Sequence, residues 1–321
     1  SGLLTIFKAF PNHHALHWVS CLGLPLMVFG ISIEPFQGHD GVIPGSALSA
    51  IAPTLSVALC LALTDFIVSI SHVPSSERWL DPHLDRALAA GVLLAYIVLK
   101  THGMGPSNTD ENLYFYMANM LSEGVWPYRD YFFAHPPMHI LLPGAALWLV
   151  DADNVLFAKW FSATAGAISG LLTWSIAKTH LGRASALIAL VAFLFAAGTL
   201  KATTNMTGIN LTLMWLMGSL WASLRGRPMI SGVSLGLAVC TGFYAMGPAC
   251  ALLLLGVFRD RRFALSQVLS FVAVAGGINL FFWLFAGEAY LDGVYRYHGL
   301  KALRDSDMLP LWGPNSDAFF T

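Results

Sequence analysis

The feature that most constrains the fold is a series of uninterrupted apolar stretches, each about 17 to 25 residues long. A helix needs roughly 20 consecutive apolar residues to cross the hydrocarbon core of a bilayer. The chain of 321 residues is 56% hydrophobic and only 11% charged, whereas about 25% of the residues of a soluble domain are charged. These properties predict an all-α, polytopic integral membrane protein.

The apolar stretches predict roughly nine transmembrane helices. A longer apolar run at 229–258 carries Gly242, Gly247 and Pro248 in its middle, and we expect these residues to divide it into two short helices. The segment 138–150 is too short to cross and predicts an interfacial or re-entrant helix. The other candidate spans are 15–33, 52–73, 87–103, 155–177, 184–200, 206–224 and 263–287.

The distribution of basic loops predicts the orientation, because short loops rich in Lys and Arg stay on the cytoplasmic side. With the N-terminus inside, every compact basic loop falls on the inner face. These loops are 75–86, 178–183, 225–228 and 259–262. The same alternation places three polar segments on the outer face: a first outer loop at 104–154, with short interfacial helices, a corner at 201–205, and a C-terminal segment at 288–321.

The first outer loop carries two adjacent carboxylates, Asp110 and Glu111, at the start of a helical pattern that ends at Gly124. Acidic residues at a helix N-terminus can cap the helix and complement its dipole without any chemistry. The segment after Gly124 is rich in aromatic residues, which can serve as membrane-interface anchors, and it contains Arg129 and His135. The residues alone leave a structural and a chemical role open.

The C-terminal segment groups four cationic or titratable side chains: Arg296, His298, Lys301 and Arg304. Cations on the outer face run against the usual distribution of charge. One explanation is phosphate binding, because Arg and Lys bind phosphate through charge-assisted hydrogen bonds. The alternative is a solvated amphipathic helix that is paired internally through acids of the same segment, Asp292, Asp305 and Asp307.

The loop at 110–138, "DENLYFYMANMLSEGVWPYRDYFFAHPPM", resembles the first outer loop of the GT-C membrane glycosyltransferases, the group that includes protein O-mannosyltransferases and lipid A aminoarabinose transferases. Their pattern is a D-E pair, a Tyr, a Gly-x-x-Pro element and a terminal Pro-Pro. Here the pattern falls on Asp110, Glu111, Tyr114, Gly124, Pro127, Pro136 and Pro137. A cationic residue that enters the next span, Lys159, extends the resemblance, which covers about residues 87 to 305.

The resemblance implies an inverting glycosyltransferase that moves a sugar from a polyprenyl-phosphate donor to an acceptor hydroxyl. Such a protein lies in a bacterial plasma membrane with its active loop facing outward. Asp110 would then be the general base, and Glu111 would orient the substrate or assist. The leaving phosphate would bind to cationic side chains. The candidates are Arg129, His135, Arg296, His298, Lys301 and Arg304.

This chain also departs from the family pattern. Several relatives carry a second acidic residue just before the Pro-Pro element, where this chain has Ala134, so no metal site is assigned and a divalent cation cofactor has no support in the sequence. Residues 1–86 are predicted to form an extra N-terminal transmembrane hairpin before a GT-C-like core at 87–321. The expected partners are the lipid donor, membrane lipids and subunits of a membrane complex.

Two other functions stay open at this point. One is a non-catalytic subunit of a larger membrane complex on the same scaffold. The other is a transporter or cofactor-binding membrane protein, because histidines four residues apart on a helix can ligate a metal or a tetrapyrrole. Such pairs are His13 with His17, with His14 between them, and His135 with His139. The net charge of −1 gives no indication of a nucleic-acid partner.

Overall fold

A computed structural model describes residues 82–103, 110–150, 155–298 and 300. These residues are largely helical and contain no strand, which confirms the all-α fold class. Besides the α-helices there are a 3₁₀ turn, Phe243–Ala245, and a π-helical turn, Asp292–Arg296. The helices are α1 (Pro82–Gly103), α2 (Glu111–Ser122), α3 (Met138–Val150), α4 (Val155–Leu181), α5 (Arg183–Phe195), α6 (Ala197–Ala202), α7 (Gly208–Leu224), α8 (Pro228–Val239), α9 (Met246–Arg259), α10 (Arg261–Ala286) and α11 (Glu288–Leu291).

The division of the long apolar run at 229–258 is confirmed. Helix α8 ends at Val239, and α9 begins at Met246 after the 3₁₀ turn. The prediction of one continuous helix at 184–200 is wrong, because Ala196 adopts an extended conformation (φ −59°, ψ 136°) that separates α5 from α6.

The number of membrane spans is the part of the prediction that the fold does not confirm. Among the residues that the structure describes, α10 is the one helix that is long and apolar enough to cross a membrane by length and composition. Helices α3, α5, α7, α8 and α9 are apolar but shorter. The predicted spans at 15–33 and 52–73, and with them the N-terminal hairpin, lie outside the described residues.

Small and polar residues lie at the contact of α8 with α7 and α10. A Cβ added at Gly232 of α8 would lie 2.1 Å from the Gln267 carbonyl oxygen of α10, so these two backbones are in direct contact. Beside this contact, the Ser231 hydroxyl is 2.8 Å from the Ser219 hydroxyl of α7, and it accepts a hydrogen bond from the Gln267 side chain. Close backbone approach of this kind requires glycine on the facing helix.

The α2–α3 hairpin positions the two carboxylates. Helix α2 stops where the sequence predicts, since Gly124 has a positive φ of 87° and its N–H donates to the Leu121 carbonyl at 3.0 Å. The Val125 N–H donates to the Met120 carbonyl at 2.9 Å, which completes a glycine-dependent helix stop. The chain then folds back, and α3 packs so closely on α2 that a Cβ at Gly144 would lie 2.8 Å from Leu121.

Candidate functional site

Glu111 is an anchor in the interior of the protein. Its side chain is fully buried, and Oε2 lies 2.8 Å from the Lys159 ammonium of α4, which is also buried. Oε1 accepts a hydrogen bond of 2.8 Å from the Met206 backbone N–H, just before α7. A buried carboxylate must be paired and hydrogen-bonded to offset its desolvation. Glu111 therefore ties the start of α2 to α4 and to the segment that enters α7.

Asp110, its neighbour, is exposed. Its backbone is helical (φ −52°), and its carboxylate makes no capping hydrogen bond to α2. Only its carbonyl joins the helix, by accepting from the Tyr114 N–H at 3.0 Å. The Asp110 side chain therefore does not cap α2, although the sequence left that role open. Its carboxylate lies at the protein surface.

Histidines from two segments meet one helical turn after Asp110. The Tyr114 hydroxyl lies 2.9 Å from Nε2 of His135. His298, in the C-terminal segment, donates from Nε2 to the Ala134 carbonyl, and its ring centroid is 5.7 Å from that of His135. The start of α2, the loop before the Pro-Pro element and the beginning of the C-terminal segment are thus contiguous.

Tyr128 fixes the loop that carries His135. It is a non-glycine residue with φ of 66°, a conformation that costs free energy and persists only where the surroundings enforce it. Its hydroxyl donates to the His135 carbonyl at 2.5 Å, and its ring packs edge-on against Tyr290 at 4.9 Å. Burial raises the pKa of the Tyr128 phenol well above its usual value. Tyr128 is therefore part of the core under the site and not a membrane-interface anchor.

Arg129 and Arg296 both pair with carboxylates. Arg129 forms a two-point contact with Asp130, at 2.9 and 2.8 Å, and its guanidinium lies 4.9 Å from the Phe285 ring centroid. The hydrogen bonds from Arg129 lower the pKa of Asp130 to about 2. The Arg296 guanidinium is 2.8 Å from Glu288 and 2.6 Å from Asp292.

Arg296 therefore pairs with carboxylates of its own segment, which is the alternative to phosphate binding that the sequence left open. The pairing involves Asp292, as that alternative expected, and Glu288, which it did not name. The other two cations of the segment, Lys301 and Arg304, lie outside the described residues, as do Asp305 and Asp307.

His139 has a structural environment. Its side chain is buried, and Nε2 accepts from the Gly208 N–H at 3.1 Å. Burial lowers the pKa of the His139 imidazole well below its usual value, and the neighbouring His135 lowers it further. A hydrogen bond with the Thr241 backbone partly offsets this shift of the pKa. Within the described ranges, no group of three His, Cys, Asp or Glu side chains is placed to hold a metal. His13, His14 and His17 lie outside these ranges.

Two buried lysines were not among the candidate site residues predicted from the sequence. Lys159 pairs with Glu111. Lys100, near the end of α1, donates to the Leu200 carbonyl and to the Thr204 hydroxyl at 2.8 Å, and lies 5.5 Å from the Tyr96 ring centroid. The signal was present in the sequence, since a lysine inside an otherwise apolar helix marks a functional or paired position.

No protein-family model, curated protein or solved structure matches the chain. The geometry around Asp110 joins an exposed carboxylate, the buried ion pair of the next residue in the chain, and a cluster of histidine and tyrosine side chains one turn away.

Proposed function

We propose that the protein is a polytopic membrane glycosyltransferase that transfers a sugar from a polyprenyl-phosphate donor to an acceptor hydroxyl on the outer face, with Asp110 as the general base. The observation that carries the proposal is the contrast between two adjacent carboxylates. Glu111 is fully buried and bound by Lys159 and Met206, whereas Asp110 is exposed and not used as a cap. A rigid helix start thus presents one uncommitted carboxylate.

The apolar surface of α10 supports the membrane part of the proposal. Only 11% of its most apolar 18-residue window is buried, whereas a core helix of a soluble protein would be mostly buried. Contiguous exposed apolar surface of this kind needs a partner or a lipid environment. The roughly nine spans and the placement in a bacterial plasma membrane belong to this proposal. Large apolar residues exposed on α10 are Leu265, Leu269, Val272, Leu280, Phe281, Trp283 and Leu284.

The proposed reaction is a single displacement at the anomeric carbon of the donor sugar. A bond forms between the acceptor oxygen and this carbon while the bond from the carbon to the phosphate oxygen breaks, so that the configuration inverts. Asp110 accepts the proton of the acceptor hydroxyl, which requires an approach of about 2.6 to 3.2 Å. Polyprenyl phosphate leaves with increased negative charge, which cationic groups must stabilise.

The side of the site that receives the phosphate is proposed to include His135 and His298, which lie next to each other. Lys301 and Arg304 follow His298 closely in the chain and keep their role as candidate phosphate ligands. Arg129 and Arg296 are weaker candidates, because each would have to exchange a carboxylate partner for the phosphate. Glu111 and Lys159 have an indirect role, because their ion pair fixes the start of α2 and with it the position of Asp110.

The test uses purified protein in liposomes that contain a panel of polyprenyl-phosphate hexoses, with release of polyprenyl phosphate as the measurement. Asp110→Asn should lower release by about 100-fold or more, since a positioned general base contributes about that factor or more. The matched control is Glu123→Gln at the other end of α2, an exposed carboxylate that accepts a hydrogen bond from the Asn119 side chain at 2.9 Å. Equal release by wild type and Asp110→Asn would contradict the proposal.

A second function, a non-catalytic subunit on the same scaffold, is favoured by one observation. The exposed arginines Arg129 and Arg296 are both occupied by carboxylates of the protein itself. Under this function, Asp110→Asn leaves the amount and size of any complex isolated from native membranes unchanged, and no donor in the panel is consumed. The same variant therefore separates the two functions.

A further inference from the structure

The opposite end of the bundle from Asp110, where α4 and α7 end, holds a tryptophan between two arginines. The guanidinium carbons of Arg225 and Arg227 lie 5.8 and 5.5 Å from the centroid of the Trp221 ring. The indole N–H of Trp221 donates to the Ser175 hydroxyl of α4 at 3.0 Å, which fixes the ring. Arg225 donates to the Thr179 hydroxyl of α4 at 3.3 Å. Both cations are thus held beside a fixed aromatic ring at one end of the α4–α7 contact.

A cleft opens at the same place. Ile176, Thr179, His180, Trp221, Leu224 and Arg225 line it. Its enclosed space is about 10 Å³, room for about one water molecule, and the rest is open to the surface. A headgroup phosphate would therefore lie against the open side of the cleft, beside the guanidinium groups, with the rest of the lipid outside the protein. The lining combines apolar side chains with hydroxyl and guanidinium groups.

Within the described ranges, carboxylates of the protein do not neutralise the positive charge at this end. Among the residues that the structure describes, no carboxylate lies within ion-pair distance of Arg225, Arg227 or Arg259. Arg259 donates instead to the Ser223 carbonyl at the end of α7. The nearby acid Asp260 accepts from the Phe263 N–H and caps α10. Three guanidinium groups therefore converge on the end of α7 with neutral partners only.

We propose that this cleft, defined by Trp221, Arg225, Arg227 and Thr179, binds the headgroup phosphate of an anionic phospholipid. The inference rests on the membrane placement in the proposed function. Guanidinium groups bind phosphate through two parallel hydrogen bonds, and basic pockets between helices on the cytoplasmic side recognise anionic lipids. The apolar wall at Ile176 and Leu224, and the exposed Val257 and Phe258 beside Arg259, favour a lipid over a free phosphate ion.

The experiment measures lipid retained by the purified full chain in native mass spectrometry, with phosphatidylglycerol and phosphatidylcholine offered in equal amounts and no sugar donor present. The wild type should retain phosphatidylglycerol preferentially. Arg225→Gln/Arg227→Gln should weaken that retention about thirtyfold, at about fivefold for each basic residue near an anionic lipid. Arg261→Gln/Arg262→Gln removes two exposed charges at the start of α10 and should leave the preference for phosphatidylglycerol in place, because neither side chain lines the cleft.

Three results would overturn the lipid site. Equal loss in both double variants would mean a general attraction to the basic end. Equal retention of the two lipids by the wild type would remove the headgroup preference. Thermal stabilisation by inorganic phosphate alone, without a preference for phosphatidylglycerol, would assign the cleft to a soluble anion. If the first double variant fails to fold, Arg227→Gln alone should weaken retention about fivefold. Because no donor is present, failure of the transferase function would not change these outcomes.

Discussion

Glu111 and Asp110 are adjacent in the chain but lie in opposite environments. Glu111 shares a buried ion pair with Lys159 and a backbone hydrogen bond with Met206, while Asp110 faces out. A carboxylate without a cap or a buried partner is available for a substrate, whereas a buried ion pair cannot lose one member without leaving an uncompensated charge. The site thus joins one exposed acid, the proposed general base, to one buried acid that supports it.

The supporting role of Glu111 predicts a large loss of stability when the pair is broken. Glu111→Gln leaves the Lys159 charge buried without its partner, so we expect about 3 to 5 kcal/mol lower free energy of unfolding. The double variant Glu111→Gln/Lys159→Met should recover part of that loss, because it removes the stranded charge. Thermal unfolding in detergent measures both, with Glu123→Gln as the control. A Glu111→Gln variant as stable as the control would contradict the anchoring role of Glu111.

The buried His139 predicts a pH dependence of stability. Its folded pKa lies below the value of about 6.5 in the unfolded chain. The unfolded state therefore binds more protons below about pH 6.5, and the stability due to neutral His139 is complete above this pH and is lost as the pH falls toward the folded pKa. We expect the free energy of unfolding to fall by up to about 1.4 kcal/mol per pH unit below pH 6.5.

Thermal unfolding between pH 7.5 and 5 measures this dependence. His139→Gln should be less stable than the wild type at pH 7.5, because Gly208 and Thr241 lose their imidazole partner. Its stability should also change less between the two pH values. If the stability of this variant changed with pH as much as that of the wild type, the pH dependence would come from other groups.

At the scale of elements, close helix contacts through glycine hold the bundle together. The α8–α10 contact at Gly232 leaves no space for a side chain, because the nearest atom is a backbone oxygen that cannot rotate away. In a lipid environment such close packing replaces the hydrophobic effect as the force between helices. The orientation of α10, which leads to the C-terminal segment and His298, depends on this contact.

Gly232→Ala should therefore destabilise the protein by about 1 to 3 kcal/mol, the cost of overpacking a close contact. Gly218→Ala is the matched control on α7, because its Cβ would meet only the Ser234 hydroxyl at an ordinary 3.7 Å. Thermal unfolding of the two variants under the same conditions makes the comparison. Equal stability of the two would mean that α8 and α10 can separate without cost.

The sequence predicts helices well where the signal is local and repeated. The division of 229–258 follows from glycine and proline in an apolar run, and the end of α2 follows from Gly124. The break at Ala196 and the positive φ of Tyr128 were not predicted. The conformation of Tyr128 depends on packing against a distant segment, since its ring contacts Tyr290. The pairing of Arg296 with Glu288 is also a tertiary outcome. Charge types could thus be predicted from the sequence, but charge partners could not.

The exposed apolar surface of the whole molecule supports the proposed lipid environment. Large apolar side chains are exposed on other helices besides α10, with Leu94 of α1 62% exposed and Phe258 of α9 77% exposed. In water, each of these side chains would cost about 25 cal/mol per Å² of exposed apolar area. The polar and titratable groups around Asp110 lie at one end of the bundle, and the arginines around Trp221 lie at the other.

The membrane claim predicts a position-dependent effect of charge. Val272, near the middle of α10, is 55% exposed, and Val272→Arg should cost about 2.5 to 3.5 kcal/mol of insertion free energy. Leu113 of α2 is similarly exposed, at 51%, but lies in the predicted interfacial loop, so Leu113→Arg should insert as the wild type does. The amount of protein left in carbonate-washed membranes measures insertion. Equal recovery of both variants would contradict the lipid-facing role of α10.

In the proposed reaction Asp110 faces the acceptor, and the donor phosphate leaves on the side of His135 and His298. A cryo-EM structure of the full chain with polyprenyl phosphate bound tests this arrangement. We expect density for the phosphate on the outer side of α2, beside the His135–His298 cluster and separated from the Asp110 carboxylate by the space for the sugar, with Glu111 still paired to Lys159. Phosphate density at the opposite end of the bundle, or on the far side of α2 from Asp110, would contradict it.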